Sequence, residues 1–151
     1  MRILFLCLGN ICRSPAAEAI TREKARVAGL DIEFDSAGTG DWHAGEPPYG
    51  PMIKAAQARG YDLSTLRARQ LNEADFAKAD FILAMDENNL RDALDRSPKG
   101  ARAEVRMFLD ARRGGGDVSD PYFTRDFDAA LDQIEAGAEA LVADLLADRE
   151  A

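Results

Sequence analysis

Eight consecutive residues, Cys7-Leu8-Gly9-Asn10-Ile11-Cys12-Arg13-Ser14, put a thiol, a guanidinium and a hydroxyl on one short stretch of chain. The run before them, residues 2–7, is almost wholly apolar and reads as a strand buried on both faces. Ser14-Pro15 after them opens a helix, with Ser14 as a good N-cap and Pro15 suited to the first turn. Loop N–H groups turned inward, together with a helix N-terminus, form a site for an oxyanion such as phosphate. Arg13 can add two parallel charge-assisted hydrogen bonds to phosphate oxygens. The same field favours ionisation of Cys7, and Ser14 can donate its hydroxyl proton to that sulfur. A thiolate beneath a bound phosphoryl group is placed for in-line attack on phosphorus, giving a phosphocysteine. Gly9 lets the backbone pass close to the oxyanion, and Asn10 tolerates the left-handed conformation that a tight loop demands. A bare Cys and Arg at this spacing is more often a buried, inert thiol beside a surface cation. The strand, the Gly-Asn loop and the Ser-Pro helix start turn the balance towards chemistry.

The elements that position this stretch recur along the chain. A helix is predicted over residues 14–28, stopped by Gly29, and strands over 32–37, 81–85 and 104–109. Further helices are predicted over 51–59, closed by Gly60, and from Asp86 as cap to about residue 94. Thr124 is read as the cap of a long final helix, whose apolar residues Phe127, Leu131, Ile134, Ala138, Leu141 and Leu145 step by four and three. Strands alternating with helices predict an α/β three-layer sandwich: a four-stranded parallel sheet flanked by helices on both faces, with right-handed crossovers. No repeat, low-complexity tract or linker divides the chain, so residues 1–151 are expected to form a single domain. Two loops stand out, residues 38–51 with Trp42 and Tyr49, and residues 111–123 with Gly114-Gly115-Gly116 and Asp120-Pro121-Tyr122-Phe123. In an open α/β sheet, loops at the carboxyl ends of the strands hold the ligand.

Composition narrows the chemistry. The 151 residues carry 19 Lys plus Arg against 27 Asp plus Glu, a net charge of −8 with pI ≈ 4.7, which argues against nucleic-acid or anionic-membrane binding. Residues 124–151 hold two basic side chains (Arg125, Arg149) against eight acidic ones, a local net of −6, so most of the net negative charge sits on one segment. Cys7 and Cys12 are the only cysteines and His43 the only histidine. A disulfide framework is thereby excluded, and neither a metal nor a cofactor is expected. Reaction must run on thiol, carboxylate, guanidinium and backbone unless His43 serves. The apolar run over 3–8 is far shorter than the roughly 18 residues of a membrane span and lacks a cleavage site after it, so a cytoplasmic protein is expected.

The chain resembles the low-molecular-weight protein tyrosine phosphatases. The match is the signature Cys7 to Pro15, with Asp35-Ser36-Ala37-Gly38-Thr39, Ala68-Arg69-Gln70, Met85-Asp86 with Asn89-Leu90, and Asp120-Pro121-Tyr122, spread in family order over nearly the whole chain. That resemblance implies Cys7 as nucleophile, Arg13 as phosphate clamp, and residues Leu8, Gly9, Asn10, Ile11, Cys12, Arg13 and Ser14 as the phosphate-binding loop. It implies Asp120 as the general acid that protonates the leaving phenol and then activates water, although Asp before Pro is by itself commonly a turn former. It further implies Trp42 and Tyr122 as walls of the substrate pocket, with a loop anchor as the alternative for Trp42. Asn10 and Ser36 resemble the pair that braces the loop. Animal members often carry a histidine in that brace where this chain has Leu66, so the histidine's contribution must be absent or replaced. Cys12 is implied as the partner of Cys7 in a reversible disulfide, or else is a small core side chain. The partner is expected to be a phosphotyrosine protein substrate, with a tyrosine kinase among the candidates.

Three rivals are weaker. Arsenate reductases of the same fold need cysteines beyond Cys12. Protein arginine phosphatases of this fold carry threonine where Ile11 stands, and Ile11 offers only apolar contact. A non-catalytic phosphate-binding module predicts a missing nucleophile or acid, yet Cys7, Arg13 and Asp120 are all present. The acidic final helix reads as a solvated face rather than a docking surface.

Overall fold

In the computed structural model, which describes residues 1–111 and 115–150, eleven elements follow one another. They are β1 (Arg2–Cys7), α1 (Arg13–Val27), β2 (Glu33–Gly38), α2 (Gly50–Gln57), α3 (Glu73–Lys78), β3 (Phe81–Ala84), α4 (Glu87–Arg96), β4 (Glu104–Met107), a 3-10 turn (Phe108–Ala111), α5 (Pro121–Thr124) and α6 (Phe127–Glu150). The sheet is wholly parallel in the order β2-β1-β3-β4, with Cys7 opposite Gly38 and Leu6 opposite Ala84. Gly114, part of the glycine run, lies outside the described residues.

Alternation along β1 builds the layers, because successive side chains of a strand point to opposite faces. Ile3, Phe5 and Cys7 join a core with Ala16, Ala17 and Ile20 of α1, Met52 of α2 and Leu131, Ile134 and Ala138 of α6. Leu4 and Leu6 pack instead with Phe76 of α3 and Ala93 of α4. Phe5 is the pivot of the larger core, its ring 6.0 Å from Phe34 and 5.5 Å, edge-on, from Phe108. Helices therefore cover both faces of the sheet, as the alternating pattern predicts.

The structure departs from the sequence reading at several boundaries. Ser14 does not cap α1, which begins at Arg13, because the Ser14 hydroxyl is engaged with Cys7. Helix α3 is short and shows no periodicity; a reciprocal cap between Asn72 and Asp75 holds it. Strand β4 ends at Met107, where Asp110 accepts the Met107 N–H and the chain tightens into the 3-10 turn. Thr124 closes α5 instead of opening α6; Asp126 caps α6 by accepting from Ala129 N at 2.9 Å. The acidic face of α6 is partly engaged, since Arg59 binds Asp128, Asp132 and Glu135. Among the described residues no helix is long and apolar enough to cross a membrane.

Candidate active site

Strand β1 delivers Cys7 to the floor of a pocket, and the loop after it wraps back to α1. Asn10 takes φ +56, the left-handed turn that lets the loop close. Gly38, at the end of the neighbouring strand, lies so close that a Cβ there would be 2.7 Å from the Leu8 carbonyl oxygen. The Cys7 sulfur is almost fully buried; Asn10 N–H donates to it at 3.3 Å, and the Ser14 Oγ stands 2.9 Å away.

A chain of hydrogen bonds fixes which way the Ser14 proton points. Glu18, buried and paired with Arg22, accepts from Ser36 Oγ at 2.7 Å. Ser36 Oγ, having given its proton, accepts from Asn10 Nδ2 at 3.0 Å, and the same amide donates to Ser14 Oγ at 2.8 Å. The Ser14 proton is left for Cys7 Sγ at 2.9 Å, with the Ala37 carbonyl a longer alternative at 3.4 Å. Asn10 Oδ1 is held by Arg69 N–H at 3.0 Å, so the amide cannot turn over without losing a partner. Asn10 and Ser36, expected as a brace for the loop, are thus brought into direct hydrogen bonding. Glu18 was not among the expected site residues, and with Arg22 it anchors the brace in a chain that has Leu66 in place of histidine. Its signal was available in the spacing of Ser14, Glu18 and Arg22, four apart on one helix face.

Arg13 is equally buried. Its Nη1 donates to Asp86 Oδ2 at 2.7 Å and to the Val118 carbonyl at 3.2 Å, and its Nη2 lies 3.2 Å from Asp120 Oδ2. Burial opposes the charge, but Cys7, Asp86 and Asp120 outweigh it and raise the Arg13 pKa above the ordinary arginine value. Asp86, read from sequence only as a cap, therefore has two tasks: Oδ1 caps α4 through Asn89 N–H, and Oδ2 aims the guanidinium. Asp120 likewise caps α5, taking Tyr122 N–H on Oδ1, while Oδ2 faces the pocket. Asp120 is thus a turn cap, as an Asp before Pro commonly is, and also lines the pocket.

Cys12 lies in the same loop, buried and free like Cys7. Burial first, then the negative charges of Cys7 and Asp120, push the Cys12 thiol up to about 12. The pocket has a volume of about 190 Å³, and Trp42, His43, Tyr122 and Phe123 stand around it. Trp42 folds back over Gly40, where any Cβ would meet the ring at 2.1 Å, and remains 61% exposed. Tyr122 is 44% exposed. His43, whose role the sequence left open, fills the space between them: its ring is 6.3 Å from Trp42 and 6.4 Å from Tyr122, and Nδ1 is 3.0 Å from Glu46 Oε2. Among the described residues no group of three His, Cys, Asp or Glu side chains is placed to hold a metal ion.

A buried thiol under convergent donors, an arginine beside it and a carboxylate across the opening can seat a tetrahedral dianion, attack it and handle one proton. The family model for low molecular weight phosphotyrosine protein phosphatases matches residues 2–151. A low molecular weight protein-tyrosine-phosphatase of Bacillus subtilis is 37% identical over 98% of this chain and 97% of its own length, and its crystal structure superposes with a TM-score of 0.92. One of Streptomyces coelicolor is 43% identical, covering 94% of this chain and 92% of the relative. A protein tyrosine phosphatase of Entamoeba histolytica, solved with Hepes in its active site, is 34% identical over 99% of both chains, with a TM-score of 0.91.

Proposed function

The chain belongs to the low molecular weight phosphotyrosine protein phosphatases, and from that premise we propose how its own residues divide the reaction. The phosphate dianion sits on the N–H groups of residues 8–14 and on Arg13. Cys7 Sγ attacks phosphorus in line, the P–O bond to the phenol breaks, and Asp120 gives the leaving oxygen its proton. Water then attacks the phosphocysteine, Asp120 takes a proton from it, and the S–P bond breaks to release phosphate. Trp42 and Tyr122 wall the slot for the phenyl ring, and Asn10 and Ser36 keep the loop rigid.

One observation carries this reading: the Cys7 sulfur receives Asn10 N–H and stands 2.9 Å from Ser14 Oγ in a pocket also lined by Arg13 and Asp120, whose side chains are 3.2 Å apart. The substrate is a phosphotyrosine protein, a tyrosine kinase being one candidate. Ile11, apolar at the loop, favours the aryl group over a phosphorylated guanidinium. The cytoplasm is proposed as the working compartment, because a nucleophilic thiol with a second thiol in its loop stays reduced there.

The test is turnover of an aryl phosphate and of phosphotyrosine, phosphoserine and phosphoarginine peptides without added metal. Phosphotyrosine and aryl phosphate are expected to turn over, Cys7→Ser to be inactive, and Asp120→Ala to be slower by about 10²- to 10⁴-fold. Preference for phosphoarginine would overturn the inference from Ile11. Phosphate binding without turnover would leave only a binding module.

A further inference from the structure

Asp120 stands at one end of the four-residue turn α5 and Arg125 at the other. Asp120 caps the turn through Tyr122 N–H, and Arg125 N–H closes it on the Pro121 carbonyl at 2.9 Å. Arg125 does so at φ +61, a left-handed conformation that is costly for a residue with a Cβ. Its side chain is not loose. Nη1 donates to the Tyr49 hydroxyl at 2.9 Å, and the guanidinium lies 5.4 Å from the Tyr49 ring centre and 5.5 Å from that of Phe127.

Tyr49 reaches the other half of the site. Its backbone N–H donates to the Ile11 carbonyl inside the phosphate loop at 2.7 Å, and its ring lies 5.4 Å from Tyr122 and 6.1 Å from Phe127. One residue therefore grips the loop that holds the nucleophile with its backbone, and the turn that holds the acid with its ring and hydroxyl. Neither Tyr49 nor Arg125 lines the pocket.

We infer that Tyr49 and Arg125 form a latch that positions the Asp120 carboxyl, which makes them positioning residues for the proton transfer and not for the attack on phosphorus. The inference rests on reading Asp120 as the general acid. Its consequence is selective. Loosening the latch leaves Cys7, Arg13 and the loop in place, so the damage must grow with the leaving group's need for a proton. Phenol needs that proton; p-nitrophenol leaves with little help.

The experiment measures kcat/KM for phenyl phosphate and p-nitrophenyl phosphate, with inhibition by inorganic phosphate, in Tyr49→Phe, Arg125→Gly and Arg125→Lys. Tyr49→Phe deletes only the hydroxyl, and Arg125→Gly keeps the left-handed turn without strain, so each should fold. Both are expected to lose about fivefold on phenyl phosphate, the worth of one hydrogen bond. On p-nitrophenyl phosphate the loss should be under about twofold, and phosphate inhibition should not move. Arg125→Lys, which keeps a cation over the rings, should recover part of the loss. In an Asp120→Ala background neither variant should cost anything more. Equal losses on both substrates, or full losses added to Asp120→Ala, overturn the latch. If Asp120→Ala itself fails to discriminate between the two leaving groups, the assignment of the acid is what has failed.

Discussion

Arg13 Nη1 and Asp86 Oδ2 lie 2.7 Å apart, and the guanidinium that Asp86 holds is buried in the pocket that Cys7 also lines. The other oxygen of Asp86 caps α4, so the carboxylate links the start of that helix to the Arg13 guanidinium, the proposed phosphate clamp. Asparagine has one side-chain oxygen and can serve only one of these tasks. Asp86→Asn is therefore expected to weaken inhibition by inorganic phosphate, and to raise KM, by about tenfold, the scale of a charge-assisted hydrogen bond. Asp86→Ala should bring the same kinetic defect and lose about 1 kcal/mol more stability through the missing cap. Unchanged phosphate inhibition in Asp86→Asn sinks the argument.

The brace behind Cys7 gives a second test. Ser36→Ala removes the acceptor for one Asn10 N–H and leaves Glu18 without its hydroxyl donor. The Asn10 amide, freed on that side, then holds Ser14 Oγ less firmly, and the Ser14 proton can turn from Cys7 Sγ to the Ala37 carbonyl. We expect kcat to fall about tenfold with KM little changed, since the lost ordering acts on the sulfur and not on the pocket walls. Glu18→Gln, which deprives Arg22 of its ion pair, should lower kcat in the same direction. A change confined to KM would place the defect in substrate binding and refute the chain.

How much of this could be read in the sequence follows from how local each feature is. Cys7, Arg13 and the loop between them are one segment, so strand, turn and helix signals within about fifteen residues define them. The sheet is legible because β1 and β3 are almost purely apolar. Glu18 was not, because a glutamate on a helix is ordinarily solvated; only the arrival of Ser36 from β2 shows that it is buried. Asp86 showed its cap, a local relation, and hid its bond to Arg13, seventy-three positions away. The same holds for Tyr49, whose backbone tie to Ile11 leaves no trace in residue type. His43 was visible as the only histidine, but its place between Trp42 and Tyr122 depends on two loops meeting.

The two cysteines should differ chemically. With its thiol pushed up to about 12 by burial and by the charges around it, Cys12 stays protonated through the neutral range and is a poor nucleophile there. Iodoacetamide at pH 7 should give one adduct, on Cys7, and inorganic phosphate should slow it. Mass mapping of the alkylated peptide reads this directly. Labelling of Cys12 at a comparable rate between pH 6 and 9 contradicts the prediction. Cys12→Ser should retain most turnover, because it keeps a small side chain in the same space.

Stability in acid depends on the Asp35 carboxylate beside Arg69. Its guanidinium binds Asp75 through both nitrogens at 2.9 Å and Asp35 at 2.8 Å, while Arg2 adds a bond to Asp35 at 3.2 Å and Ser36 N–H another at 2.8 Å. Burial opposes ionisation of Asp35, but Arg69, Ser36 and Arg2 together outweigh it and hold its carboxyl below the ordinary range. The unfolded chain then takes up this proton at a higher pH than the native protein, near 4 for a free aspartate, so stability rises with pH across that interval. The contribution is complete above about pH 4 and is lost as pH falls through the lower native value. Arg69→Met should lower the melting temperature by about 5 °C at pH 7, and the difference should shrink as pH falls through the lowered native value of Asp35, where its carboxyl becomes neutral in both proteins. The two curves of melting temperature against pH should converge in acid; parallel curves would show that Arg69 acts by packing alone.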